Sequence, residues 1–191
     1  MAQQRHTETK LYIKEAVTQL LSEKAFEQLT ISHITHRAGI NRGTFYLHYQ
    51  DKYDMMAQFK EDTLDQIFYI LQEEENHPRQ AILRTLIYIQ ENFAFISAMS
   101  KTRYINFSES IKEFILRILA YSDNFETAVT SVYHIPFLYA REVYLASLES
   151  IISLWIENGA KESPQEMADI LLRIGYIEDN NLQILDEKET L

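Results

Sequence analysis

The stretch Leu29–Met56, LTISHITHRAGINRGTFYLHYQDKYDMM, holds a glycine between two short polar-capped segments, then three aromatics, a histidine and a lysine within a few residues. Thr30 suits the N-cap of a short helix in which Ile34 and Ala38 point inward. Gly39 stands where that helix must stop, because a left-handed residue after a helix end is best served by glycine. Asn41 caps a third helix two residues later, and Asp51 a fourth, with Asp54 placed to reach back as in a capping box. Helix, glycine-containing turn and helix make the helix-turn-helix pattern. In the third helix Phe45 and Tyr49 are four apart and face inward with Ile40, away from Arg42 and Tyr46.

Working outward, the same helical grammar continues. Ile13, Val17, Leu20 and Leu21 share one face of a first helix over 7–24. The fourth helix is expected to run to about Glu75. Pro78 starts a fifth, carrying Ile82, Leu86, Ile89 and Phe93 on one face. A further helix is expected over 108–121, a short helix and a turn within 123–136, and a long helix over 137–158 ended by Gly159. Ser163-Pro164-Gln165-Glu166 is a strong start signal for a last helix to Tyr176. The tail beyond Ile177 is polar and expected to fray. No strand pattern appears, so the fold class is all-α with about nine helices. A head over 1–53 is expected before a larger helical body over 54–191.

Bulk composition agrees with this reading and excludes several functions. The chain of 191 residues is 46% hydrophobic and 24% charged, with four glycines, three prolines and no cysteine. So few turn-formers suit long helices, and the absence of cysteine removes disulfides, zinc–thiolate sites and thiol nucleophiles. No leader-like or membrane-spanning apolar run is present, so a cytoplasmic location is expected. Net charge is −10, but residues 1–53 carry seven basic against five acidic side chains, while 54–191 carry 11 against 23. A near-neutral to basic head on an acidic body suits an anionic partner at the head. His33 and His36 lack a carboxylate or cysteine at ligand spacing, so no metal and no cofactor are expected. No nucleophile elbow, phosphate-cradling glycine loop or H-E-x-x-H run is present, so an enzyme is not expected.

Leu29–Met56 resembles the DNA-binding domain of the TetR family of bacterial transcription regulators: the capping threonine, the Ala-Gly-Ile turn, Thr-Phe-Tyr-x-His-Tyr and the lysine stand in order. The resemblance covers about 7–60. It implies a DNA-facing set of Thr30, Ser32, Asn41, Arg42, Gly43, Thr44, Tyr46, Leu47, His48 and Lys52. Arg42, Gly43 and Thr44 lie at the end of the recognition helix that meets base edges, with Arg42 the expected reader of guanine. Gly43 lets the backbone come close. Tyr46, His48 and Lys52, with Thr30 and Ser32, are expected at phosphates. Leu47 is expected at a thymine methyl.

The stretch ASLESIISLWIENGAKESPQEMADILLRIG is similar to the C-terminal domain of a Firmicutes-type branch of the same family. The resemblance implies a homodimer built through the last two long helices. Tyr144, Leu148, Ile151, Ile152, Trp155, Met167, Ile170, Leu171 and Ile174 are the expected interface, with intramolecular core as the competing use. It also implies an effector pocket, for which Tyr88, Phe93, Phe95, Tyr104, Phe107, Phe114, Tyr133 and Tyr139 are the candidates against the same competing use. The function expected is a ligand-responsive, homodimeric repressor of a palindromic operator. The alternative is an activator controlled by a protein partner, which would show an exposed apolar patch on the body.

Overall fold

The structure, a computed structural model, describes residues 2–74, 77–120 and 124–174. Among them are ten α-helices and no strand: α1 Ala2–Glu23, α2 Ile31–Arg37, α3 Arg42–Tyr46, α4 Lys52–Glu73, α5 Pro78–Glu91, α6 Phe93–Ser100, α7 Phe107–Leu119, α8 Phe125–Tyr133, α9 Phe137–Glu157 and α10 Pro164–Ile174. A single 3-10 turn, Phe26–Gln28, joins α1 to α2. The expected all-α class stands. The expectations at Glu75, Tyr121, Asp123, Tyr176 and beyond lie outside the described residues. No described helix is long and apolar enough to cross a membrane.

One expected helix is two. The pattern from Pro78 onward breaks at Asn92, whose φ of −103° and ψ of 17° leave the helical basin, and α6 begins at Phe93. The reason lies in packing. α5 lies against α10 and α6 against α1. The contacts divide the chain into two compact units, one formed by the residues up to Tyr69 together with Asn92–Phe107, the other by Ile70–Glu91 and the residues from Ser108 onward. The chain therefore changes unit between Glu91 and Asn92. The sequence FAFISAMS of α6 is apolar nearly all round because Phe95, Ile96, Ser97 and Met99 are all buried there.

The first unit packs α1, α2, α3, the start of α4 and α6 around Ile13, Val17, Phe26, Ile34, Phe45, Tyr49, Met55, Met56 and Phe59. Tyr49 meets Phe45 at 5.5 Å and Phe59 at 5.6 Å, and Phe59 meets Phe95 edge-on at 5.6 Å. Arg37 makes a two-pronged pair with Glu23 at 2.8 and 3.0 Å, fastening the end of α2 to the end of α1. That hydrogen-bonded pair holds the Glu23 carboxyl below its ordinary range.

The second unit contains a cluster of Val129, Ala140, Tyr144 and Leu145, flanked by Ile115, Leu119, Phe125, Tyr133, Phe137 and Leu148. The turn between α9 and α10 is closed by Ala160 N–H donating to the Trp155 carbonyl at 2.8 Å. Trp155 Nε1 also donates to the Glu162 carbonyl at 3.1 Å. Ser163 and Glu166 then form the expected capping box, each bonding to the other's end of the turn.

Burial within the chain divides the expected interface residues between the two uses. Tyr144, Trp155, Met167 and Leu171 are buried inside the chain. Leu148, Ile151, Ile152 and Ile174 are half-buried, and only Ile170 is exposed. The apolar side chains that α9 presents to solvent are instead Leu138, Tyr139, Val143 and Leu154. Helical spacing reports that a face is apolar but not whether its own chain or another covers it.

Candidate nucleic-acid interface

The turn between α2 and α3 is built as the sequence suggests. Gly39 takes φ +67°. Its N–H donates to the His36 carbonyl at 3.3 Å, and Ile40 N–H donates to the Thr35 carbonyl at 3.0 Å. This is the paired closure of a Schellman end, which needs a left-handed residue at that place. Thr30 caps α2 by accepting from His33 N–H at 3.2 Å, while its own N–H donates to His33 Nδ1 at 3.3 Å. His33 thus takes the part that Glu usually plays in a capping box, and its Nδ1 is occupied by the backbone.

Asn41 Oδ1 caps α3, accepting from Thr44 N–H at 2.8 Å and from Thr44 Oγ1 at 3.1 Å. A side chain at Gly43 would bring a Cβ to 3.2 Å from that same Oδ1. Gly43 therefore keeps the cap of α3 intact as well as leaving its backbone bare. Phe45 and Tyr49 anchor the segment from below, at 0% and 2% exposure. Burial pushes the Tyr49 hydroxyl well above its ordinary range, with nearby Asp62 and Asp54 adding to the effect.

The opposite side of α3 is open. Arg42 and Tyr46 are exposed and joined, with Arg42 Nη2 donating to the Tyr46 hydroxyl at 3.2 Å. Leu47 is 79% exposed. Thr30, Ser32, Asn41 and Gly43 are also exposed, and Thr44 and His48 half-buried. Thr30, Ser32, Asn41, Arg42, Gly43 and Thr44 thus stand at two helix N-termini, with backbone N–H groups and an arginine fork available to an anion, and Tyr46, Leu47 and His48 stand at the other end of α3.

Lys52 is different. Its ammonium donates to the carbonyls of Phe26, Glu27 and Leu29 at 3.0, 3.0 and 2.8 Å. It also lies 4.8 Å from the Phe26 ring and 5.2 Å from the Tyr53 ring. An ammonium has three donors. All three go to the 3-10 turn that leads into Thr30, so Lys52 supports the entry to α2 rather than presenting a free charge.

Phe26, Tyr53 and Tyr104 form an aromatic group around this point. Tyr104 stacks on Phe26 at 5.8 Å and meets Tyr53 edge-on at 4.9 Å. Tyr104, one of the expected effector-pocket residues, lies on the surface of the first unit, 46% exposed. Phe95 is held in the packing of that unit, with the Lys14 ammonium 4.5 Å from its ring. Tyr139 is 62% exposed. Phe93 and Phe107 are half-buried in the first unit, and Tyr88, Phe114 and Tyr133 in the second. The eight candidates are thus distributed over both units, and periodicity alone could not separate these uses.

Comparison with known proteins supplies the family. Residues 13–59 match the model described as bacterial regulatory proteins, tetR family. Residues 76–175, more than half of the chain, match a TetR-type transcriptional regulator C-terminal region. An uncharacterised HTH-type transcriptional regulator of Bacillus subtilis, YxbF, is 24% identical over 82% of this chain and 42% of its own length, so the chain spans less than half of that relative. Among solved structures, the fatty acid degradation regulator FadR from Bacillus halodurans aligns with a TM-score of 0.63 at 16% identity, covering 87% of this chain and 95% of that one. A TetR transcriptional regulator from Streptococcus agalactiae gives 0.62 at 19%, covering 91% and 97%. These structural likenesses speak to the fold. Taken with the helix-turn-helix geometry, the two family matches establish that this chain belongs to the TetR family of DNA-binding transcriptional regulators.

Proposed function

We propose that the chain is a homodimeric, ligand-responsive repressor that binds a two-fold operator in the cytoplasm. The observation that carries the DNA part is the solvent-facing side of α3, where Arg42, Tyr46 and Leu47 stand exposed over a core anchored by Phe45 and Tyr49. Leu47, 79% exposed, fits contact with a thymine methyl. Arg42 reads a base edge. Thr30, Ser32, Asn41, Thr44, Tyr46 and His48 hold the backbone on either side, and Gly43 allows close approach.

The dimer part rests on α9. Tyr139, Val143, Ser150 and Leu154 follow one stripe, with Leu138 beside it and small Ala146 between, all exposed. Two such stripes pack closely because small residues let helix axes approach. An activator controlled by a protein partner is favoured by the same exposed apolar patch, and the printed name of one structural relative, the dihydroxyacetone kinase operon activator DhaS, describes an activator. The deciding experiment measures mass in solution and binding to the promoter beside the chain's own gene against random DNA. A dimer with selective, saturable binding to a two-fold site supports the repressor. A monomer without selective binding favours the partner-controlled activator.

A further inference from the structure

The segment that follows α6, Lys101-Thr102-Arg103-Tyr104, lies outside the helix-turn-helix but within the same compact unit. We infer that it forms an additional contact to the DNA backbone, with Arg103 as the phosphate ligand. The inference rests on the DNA-binding reading above and extends its surface.

Four observations carry it. The first is placement. Tyr104 stacks on Phe26 and touches Tyr53, and those two residues flank the Lys52 ammonium. Phe26 opens the turn that leads to Thr30 at the N-terminus of α2, and Tyr53 lies in the first turn of α4. The segment is therefore held beside the chain entry to the backbone-facing helix ends.

The second is rigidity. Thr102 is buried and its hydroxyl donates to the Met99 carbonyl at 2.8 Å, and Ile105 is buried as well. Arg103 stands between these two anchors and is exposed. A fixed loop presents its charge with little ordering cost on binding.

The third is charge. Residues 92–107 contain Lys101 and Arg103 and no acidic side chain, in a region of the chain that is otherwise strongly acidic. Lys101 follows directly on α6, where the helix dipole alone favours a cation. Arg103 has no such local reason.

The fourth is availability. Arg37 is bonded to Glu23 and Lys52 to three carbonyls, while Arg42 has the recognition role already described. Among the described residues Arg103 makes no ion pair or hydrogen bond. Duplex DNA carries one charge per about 1.7 Å of axis, so a cation at the groove edge needs no exact register to find a phosphate.

The test compares wild type, Arg103→Ala and Arg103→Lys for binding to the promoter fragment and to random DNA across a salt series. Arg103→Ala is expected to lower the slope of log affinity against log salt by about 1.8 for the dimer, about 0.9 for the phosphate lost in each subunit, equally on both DNAs. Arg103→Lys is expected to restore the slope, since a phosphate accepts either cation. Arg103 is exposed, so circular dichroism melts of the three proteins are expected to coincide. An unchanged slope in Arg103→Ala, with normal wild-type binding, overturns the inference and leaves the DNA-binding reading standing. A change in sequence preference without a change in slope also overturns it. Failure of wild type to bind either DNA overturns both.

Discussion

At the scale of single residues, Lys52 and Arg42 separate two ways in which a cation serves a DNA-binding head. The Lys52 ammonium gives all three donors to the carbonyls of Phe26, Glu27 and Leu29. Lys52→Met keeps an unbranched apolar side chain and removes the charge and its three donors. Hydrogen bonds to a charged group are each worth roughly 1.5–3 kcal/mol, but freed carbonyls at a partly open turn recover some of this from water, so a loss of about 2 kcal/mol is expected. Thermal denaturation checks it. The salt slope of DNA binding by the folded protein is expected to stay the same; a fall by about 1.8 for the dimer would return Lys52 to the phosphate role that its position in the sequence suggests. Arg42 is exposed and its fork is bonded only to Tyr46. Arg42→Ala is expected to lose about 1–3 kcal/mol of discrimination at one base pair, seen as a relaxed preference in a panel of single-base operator variants. Arg42→Lys does not restore it, because an ammonium lacks the two-pronged fork. Uniform weakening on every sequence would show that Arg42 holds a phosphate.

At the scale of elements, the helix ends explain why much of the head is legible in the sequence. Thr30, Gly39, Asn41 and Asp51 each satisfy backbone groups that a helix end must leave open, and those needs are local. Gly39 sits at φ +67° with open space where a side chain would be. Gly39→Ala therefore meets strain and nothing else, and is expected to cost about 1–2 kcal/mol in chemical denaturation. Asp54 gives the start of α4 a pH dependence. The Asp54 carboxylate accepts from Gln50 N–H and from the Gln58 amide, which hold it below the ordinary carboxylate range. A depressed folded-state pKa means that this contribution is present above the unfolded pKa and is lost as pH falls through the folded one. The melting temperature of wild type is thus expected to fall more steeply below about pH 4 than that of Asp54→Asn, which has no charge to lose. Parallel curves would remove Asp54 from the account. What local grammar did not carry was the break at Asn92. No proline or glycine marks it; it exists because α5 and α6 belong to different compact units, a fact of long-range packing.

At the scale of the whole molecule, the long helices show where sequence reading stops. The stripe Tyr144, Leu148, Ile151, Ile152 and Trp155 has ideal helical spacing, and so does Tyr139, Val143, Ser150 and Leu154 on the same helix. Spacing cannot rank them, since α9 is apolar over most of its circumference. Burial does: Tyr144 meets Phe125 at 5.4 Å within the cluster that holds α8 to α9, and its hydroxyl is pushed up to about 12 by burial and by Tyr133. The two stripes therefore predict different failures. Tyr144→Ala removes an aromatic ring from a core and is expected to cost about 3 kcal/mol, lowering the melting temperature of the protein. Leu154→Glu places a charge on a side chain that is already 52% exposed, so the isolated fold tolerates it while a dimer does not. Sedimentation should find this variant monomeric with an unchanged circular dichroism spectrum. DNA binding follows from the same argument. A dimer engages two half-sites with one loss of translational freedom, whereas two separate monomers each lose it, so the monomeric variant is expected to lose selective binding while keeping weak, salt-sensitive attachment. A Leu154→Glu protein that remains dimeric would exclude the exposed stripe of α9 as the subunit contact and leave it to a different partner.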